Sequence, residues 1–403
     1  MTLARISLYY LRKRALNTAL NVALLAFGIA AVTLLVLTSM QLERRIHRDA
    51  QGIDLVVGAK GSQTQLILST IYGLDAPAGA VRWSDAQEIA GHRGVAEAIP
   101  LALGDHYYGF RIVGTTHDYP VHYGASVIEG TLWKEPLDAV FGADVAARLR
   151  PQLGSTFVAS HSVAGAAGLP HTQTPYRVVG VLGRTDTVLD RLVLTDVASY
   201  WKVHPEPPKV EADALVAEPL ADARTVTALL IQYATSHAAG EVPYVVNNYE
   251  GLQAASPVEE ATRLHGVISV GIDLLRAFAL ILMLSAALSI FIALYNGLKD
   301  RRYDIAVMRT LGATRTDVMS LLIFEGVMLA LAGAALGLLL GHLLTSALGL
   351  ALSQAQQLPV SGWTWSLQEL WIVALALIVG IVSALVPAWR AHEVDIAGTL
   401  ARG

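Results

Sequence analysis

ALNTALNVALLAFGIAAVTLLVLTSMQL, residues Ala15–Leu42, contains no Asp, Glu, Lys or Arg. About 20 apolar residues in a helix cross the hydrocarbon core of a bilayer, so this tract is long enough for one crossing. Three further charge-free tracts follow at Ala277–Leu298, Gly326–Gln368 and Leu370–Trp389. The third tract fits one span plus a polar turn, because Ser353-Gln354-Ala355-Gln356-Gln357 and Pro359 interrupt it. Four spans are therefore predicted, with more than half of the chain lying between the first and the second.

The composition agrees. The 403 residues are 54% hydrophobic and 15% charged, against about 25% charged in a soluble domain. The net charge of −4 offers no basic footprint for nucleic acid. The absence of cysteine excludes disulfides, thiolate metal sites and cysteine nucleophiles. Arg12-Lys13-Arg14 ahead of the first tract resembles the start of a signal peptide. However, the charge-free run exceeds an h-region of about 7–15 residues, and no A-x-A site follows near Thr38-Ser39-Met40. An uncleaved anchor is expected. Leu3, Ile6 and Tyr10 recur at helical spacing before it, predicting a short interfacial helix whose basic residues snorkel.

Positive charge close to span ends sets orientation. Arg5, Arg12, Lys13 and Arg14 precede span one; Lys299, Arg301, Arg302, Arg309 and Arg315 join spans two and three; Arg390 and Arg402 follow span four. Both termini and the middle loop are expected in the cytoplasm. Arg44, Arg45 and Arg48 lie on the opposite side, flanked by Glu43 and Asp49.

Residues 45–262 are expected to form one extracytoplasmic α+β domain. Ser84–Ala90 and Ala143–Leu149 have helical composition. Gly109–Gly114, Thr156–Ala159, Tyr176–Leu182 and Arg191–Leu194 are strand candidates. Ser162–Thr174 reads as a loop. Val258–Arg276 has no Gly-Pro break, so span two is expected to extend outward as a stalk. The predicted organisation is 1–44 interfacial helix and first span, 45–262 inserted domain, 263–298 stalk and second span, and 299–317 a cytoplasmic helix. Then come 318–352 for the third span, 353–367 for a short external loop, 368–389 for the fourth span and 390–403 for a cytoplasmic tail.

Lys299–Asp317, KDRRYDIAVMRTLGATRTD, is strongly patterned for so short a segment. Ile305, Met308 and Leu311 make an apolar stripe on a charged helix. Gly312 suits the position after a helix end, and Thr314 with Asp317 resembles a capping box. The stripe fits either a loop lying on headgroups or a helix that docks in a partner's groove.

RRYDIAVMRTLGATRTDV, followed by LLIFEGVMLALAGAALGLLLG, resembles the hallmark segment of FtsX/MacB/LolC-type permeases of ABC transporters. The tail VPAWRAHEVDIAGTL is similar to that family's closing motif through Pro387, Ala388, Arg390 and Asp395, although Ile396 stands where the family usually has proline. GADVAARLRPQLG and YRVVGVL resemble its MacB-like periplasmic core domain. The resemblance implies an α-helical membrane protein of four spans in a bacterial inner membrane. It also implies a periplasmic α+β domain inserted between spans one and two. It makes 299–317 a coupling helix onto a separate cytoplasmic ABC ATPase that binds ATP and Mg. Arg301, Arg302, Ile305, Met308, Arg309, Leu311 and Gly312 are then the coupling residues. A homodimer or paired permease is implied, with a periplasmic adaptor or enzyme as a further partner. This chain itself is expected to bind no cofactor and to catalyse nothing.

Gly333, Gly337 and Gly341 form a doubled GxxxG that lets helix backbones approach closely, within one protomer or, as the resemblance inclines, between two. Glu325 is expected to reach water one turn from the cytoplasmic edge. His342 is expected to be packed or interfacial, and Trp363, Trp365, Trp371 and Trp389 fit interfacial belts. Gly58-Ala59-Lys60-Gly61-Ser62 has P-loop letters in the wrong order and reads as a turn. The spans lack the repeated polar residues of a solute pathway. His106, His117 and His122, with Asp105 and Asp118, are the metal candidates, but their spacing matches no compact motif. Export or extraction of a peptide, lipid or lipoprotein is the leading expectation. The alternatives are regulation of a periplasmic enzyme and a metal-related uptake role.

Overall fold

The computed structural model describes residues 3–160, 174–204, 224–354 and 360–392. The expectations for Ser162–Gln173, for Ala355–Pro359 and for the tail from Glu393, with Asp395 and Ile396, lie outside them. The chain divides into two units, Met1–Leu42 with Val267–Gly403 and Glu43–Gly266.

The chain opens with α1 (Leu3–Lys13), α2 (Ala15–Asp49), β1 (Leu55–Ala59), α3 (Gln63–Thr70), β2 (Val81–Arg82), α4 (Trp83–Ala90), β3 (Val95–Tyr107) and β4 (Phe110–Thr115). It continues with α5 (Asp118–His122), β5 (Val127–Gly130), β6 (Asp138–Phe141), α6 (Ala143–Leu149), β7 (Thr156–Phe157), β8 (Tyr176–Leu182) and β9 (Leu192–Asp196). After α7 (Val197–Val203) come β10 (Thr225–Val226), β11 (Ala228–Tyr233), α8 (Ala238–Asn247) and β12 (Leu252–Ala255). Last are α9 (Pro257–Asp300), α10 (Arg302–Thr310), α11 (Arg315–Gln354) and α12 (Gln368–His392).

Among the described residues, α2, α9, α11 and α12 are long and apolar enough to cross a membrane. Leu25 and Ile29 of α2, Ile290 of α9, Leu329 of α11 and Ile372 of α12 share one buried cluster. In lipid there is little hydrophobic drive between helices, and close packing at small residues does the work. A methyl group on Gly326 would lie 2.6 Å from the Gly380 carbonyl oxygen, so α11 and α12 touch backbone to backbone there. On Gly333, Gly337 and Gly341 it would lie 2.8 Å from Leu25, 2.6 Å from Ile29 and 2.6 Å from Thr33. All three glycines therefore face α2 of the same chain. The face that the sequence inclined toward a dimer is already filled, because only glycine lets α2 come this near.

The other unit is built on a ten-stranded mixed sheet, ordered β12-β1-β11-β3-β4-β9-β6-β8-β5, with β7 on β8. The β4–β9 and β6–β8 pairs are parallel, and the other pairs in this sheet are antiparallel. Its central strands are apolar on both sides. Val56 and Leu230 enter one core, with Ile67, Tyr119 and Trp133. Leu55, Val57, Leu229 and Ile231 enter a second, with Ile89, Val242 and Val246. Successive strand side chains point to opposite faces, so covering both faces makes continuous apolar strands. The expected turn at Gly58–Ser62 is narrowed to the bend at Lys60-Gly61. Gly58 and Ala59 end β1, and Ser62 caps α3 by accepting from the Gln65 amide at 3.3 Å. Gly58 leaves room for the Leu66 side chain, whose end a methyl at 58 would displace.

Candidate functional site

Segment 299–317 is a short helix held between two long ones. α9 ends at Asp300, Arg301 departs from helical geometry, and α10 begins at Arg302. Two reciprocal caps shape its exit. Gly312 adopts φ +102°, its amide bonds to the Arg309 carbonyl at 3.2 Å, and the Ala313 amide bonds to the Met308 carbonyl at 3.0 Å. These are the two bonds of a Schellman motif. Thr314 then caps α11: its amide donates to the Asp317 carboxylate at 2.8 Å, and the Asp317 amide donates to the Thr314 hydroxyl at 3.2 Å.

The side chains sort differently from the expected stripe. Ile305 is buried with Leu298, Val318, Leu322 and Ala388, and Met308 packs half-buried against them. Leu311, just past the end of α10, is 83% exposed, and Tyr303 and Arg302 are also exposed. Arg309 is half-buried. The outward face of the segment therefore centres on Arg302, Tyr303 and Leu311. Ile305 belongs to the chain's own core, because the turns on either side of α10 fold it back against α11 and α12.

Arg301 and Glu325 also depart from expectation. Arg301 is 9% exposed and Glu325 2%. The guanidinium donates to both carboxylate oxygens, at 2.9 and 3.0 Å. Its carbon lies 3.8 Å from the centre of the Tyr10 ring, and the Tyr10 hydroxyl donates to Asp304 at 3.2 Å. Glu325 does not reach water, and Arg301 points into the chain. This geometry binds three elements, α1, the α9–α10 junction and α11, into a single polar knot. Arg301 is buried, and a buried charge needs a close counter-charge, which the Glu325 carboxylate supplies.

At the opposite end of α11, His342 Nδ1 bonds to the Gly362 carbonyl at 2.5 Å, and its Nε2 lies 3.2 Å from Glu369. Gln41 makes paired bonds with the Ser361 backbone, each 2.8 Å. Together these bonds fix the 360–367 connection to α2, α11 and α12. Trp363, Trp365 and Trp371 stay exposed there, and Trp389 is exposed near the end of α12.

In the inserted domain, the last turn of α2 is fastened by polar groups. Asp49 is buried with Arg191 at 3.7 Å and Arg45 at 3.9 Å, the Tyr123 hydroxyl donates to the Asp49 carbonyl at 2.5 Å, and Arg48 lies 3.7 Å from Asp186. Burial brings the Arg191 guanidinium down to about 10, reinforced by Arg45 and opposed by Asp49. Arg45 and Arg48, which ran against the charge rule for orientation, thus have acidic neighbours inside this domain. Sequence reading missed Arg191, 142 positions from Asp49 by their numbering; no local pattern pairs them.

The histidine candidates do not converge. His117 Nε2 bonds to the Trp133 carbonyl at 2.9 Å, while His122 Nε2 bonds to the Gln51 carbonyl at 2.8 Å and lies near Glu97. The backbone of His106 pairs with Ser160. No group of three His, Cys, Asp or Glu residues that suits a metal gathers among the described residues. His204 instead lies 3.5 Å from buried Asp105. Burial lowers its pKa, but the hydrogen bond and charge of Asp105 more than offset this and raise it above the ordinary histidine value.

Four apolar helices, a short helix between the second and third, and an α/β domain inserted after the first define a multi-pass membrane protein of the permease class. The chain matches the MacB-like periplasmic core domain over residues 18–235 and the FtsX-like permease C-terminal domain over residues 276–395. It belongs to the FtsX/MacB/LolC-type family of ABC transporter permeases. An uncharacterized ABC transporter permease of Methanocaldococcus jannaschii is 26% identical over 154 residues, which is 38% of each chain. The lipoprotein-releasing system transmembrane protein LolC of Haemophilus influenzae is 30% identical over 105 residues, covering 25% of this chain and 26% of that one. The matched stretches thus span well under half of either relative. Among solved structures, the periplasmic region of MacB from Actinobacillus actinomycetemcomitans aligns with a TM-score of 0.35 and 11% identity, over 55% of this chain and 97% of that one. The extracellular domain of the transporter YknZ from Gram-positive bacteria aligns with a TM-score of 0.32 and 14% identity, over 51% and 99%.

Proposed function

We propose that this chain is the membrane subunit of an ABC system in which a separate cytoplasmic ATPase, binding ATP and Mg, docks on segment 299–317. The observation that carries this reading is α10 itself. It is bound to α1 and α11 through Tyr10, Arg301 and Glu325, yet offers Tyr303 and Leu311 outward. A helix held this way transmits displacement instead of absorbing it. α2 and α9 each run unbroken well past their charge-free tracts, which suits them to carry movement by mechanotransmission. Two copies pairing in a bacterial inner membrane, with both termini cytoplasmic and the inserted domain periplasmic, complete the reading.

The output is export or extraction of a peptide, lipid or lipoprotein. Similarity to a protein named for lipoprotein release favours this over FtsX-like control of a periplasmic enzyme. The separation of His106, His117 and His122 weighs against a metal-related uptake role. The test is affinity purification of tagged chain in mild detergent beside Leu311→Asp and Tyr303→Asp variants. An ATPase subunit recovered with the parent and lost with both variants supports the assignment; no ATPase with any of the three ends it.

A further inference from the structure

The charge-free tracts of α9 and α12 stop at Leu298 and Trp389, and the next residues are Lys299 and Arg390. Both cations converge on one aromatic ring. The Lys299 ammonium lies 5.1 Å from the centre of the Tyr295 ring, and the Arg390 guanidinium carbon lies 5.4 Å from it. Arg390 also donates to the Tyr295 hydroxyl at 2.8 Å, bridging α12 to α9. Lys299 and Arg390 are exposed, as is the neighbouring Trp389, and Tyr295 is half-buried. Among the described residues, no ion pair joins either cation to a carboxylate. The arrangement differs from Arg301, two residues beyond Lys299, whose charge Glu325 neutralises.

A cation near an aromatic face gains little at an exposed site, and two cations drawn to one ring repel each other. An anion between them removes that repulsion. Both cations stand where hydrocarbon gives way to headgroups, and basic pockets between membrane helices select anionic lipid phosphates. We propose that Lys299 and Arg390, arranged about Tyr295, form a binding site for the headgroup of an anionic phospholipid. The guanidinium supplies planar donors to phosphate oxygens, the ammonium adds a second charge, and Trp389 lies against the acyl-chain boundary. The occupant is a lipid and not free phosphate, because the site opens beside apolar helix faces.

The test is native mass spectrometry of the delipidated full-length chain in non-ionic detergent. It is titrated separately with phosphatidylglycerol, with phosphatidylcholine of the same acyl chains, and with inorganic phosphate. Each cation is expected to contribute about five-fold to the preference for phosphatidylglycerol. Lys299→Gln should remove about five-fold, and adding Arg390→Gln should abolish the preference. Arg5→Gln, an exposed cation elsewhere in the chain, should leave it intact. Tyr295→Phe keeps the ring and both cations, and should retain most of the preference. Equal retention of the two lipids overturns the proposal, as does a preference that survives the double substitution. Loss in Tyr295→Phe as complete as in the double variant also overturns it, assigning the cations to helix bridging. Inorganic phosphate binding without lipid preference replaces the lipid with a free anion.

Discussion

Arg301 and Glu325, both buried, face each other through two hydrogen bonds of 2.9 and 3.0 Å at the point where α9 gives way to α10. Removing one partner of a buried pair strands the other charge, at a cost of about 3–5 kcal/mol, whereas replacing both with apolar groups is often neutral or stabilising. Glu325→Ala is therefore expected to lower the unfolding midpoint in detergent sharply, and Arg301→Met with Glu325→Leu to recover most of it. If Glu325→Ala melts with the parent, the pair is not closed as described. Within the proposed complex, the double variant should remain assembled but turn over ATP with weakened transport, since stability returns without the polar link to α10.

Gly337 sets how near α2 approaches α11. A side chain there meets the Ala26 carbonyl at 2.8 Å as well as Ile29, and backbone cannot rotate away. Gly337→Val should cost about 1–3 kcal/mol by overpacking. Gly271 in α9 has nothing within 4 Å, so Gly271→Ala should be neutral or raise stability by about 0.5–1 kcal/mol. Thermal unfolding of the two variants side by side decides the matter; equal behaviour would sink the α2–α11 contact.

Tyr123 ties the end of α2 into the inserted domain through the Asp49 carbonyl. Tyr123→Phe should cost about 0.5–1.5 kcal/mol, and amide hydrogen exchange across residues 43–49 should accelerate. Protection there unchanged from the parent would show that the last turn of α2 is held by something else.

His204 carries a pH signature. Its pKa is raised in the folded chain, chiefly because Asp105 outweighs the penalty of burial. A raised folded pKa gives stability that is fully present below the unfolded value, about 6.5, and is lost as pH rises through the folded one. Stability should therefore decline as pH rises from about 6.5, and His204→Asn should flatten that decline. Melting curves over this range, parent against variant, provide the check; parallel slopes would refute it.

Much of the architecture was legible in the sequence for a physical reason. Excluding charge from some twenty consecutive residues is a signal that no short fluctuation imitates, so the four long helices could be read directly. Gly312 and the Thr314–Asp317 cap were legible because each is complete within a few residues. Of the inner strands, β4, β8 and β9 were legible, whereas β1, β11 and β3 were not. β1 and β11 are covered on both faces and show no alternation, and β3 carries Pro100, which argues against a strand. The site was legible in part. A glycine repeat announces close approach but not with which helix, and Arg301 in an Arg-Arg pair looks solvated until Glu325, 24 residues on, is placed beside it.

The backbone contact between Gly326 and Gly380 lies one residue beyond Glu325, at the α10 end of a helix that continues to Gln354. With a rise of 1.5 Å per residue, about 40 Å of α11 extends beyond that crossing. Such geometry is that of a fulcrum with a long arm. A tilt of about 5° imposed at Arg301 would sweep the far end of α11 through about 4 Å. The glycines seated on Leu25, Ile29 and Thr33 mean that α2 must travel with it.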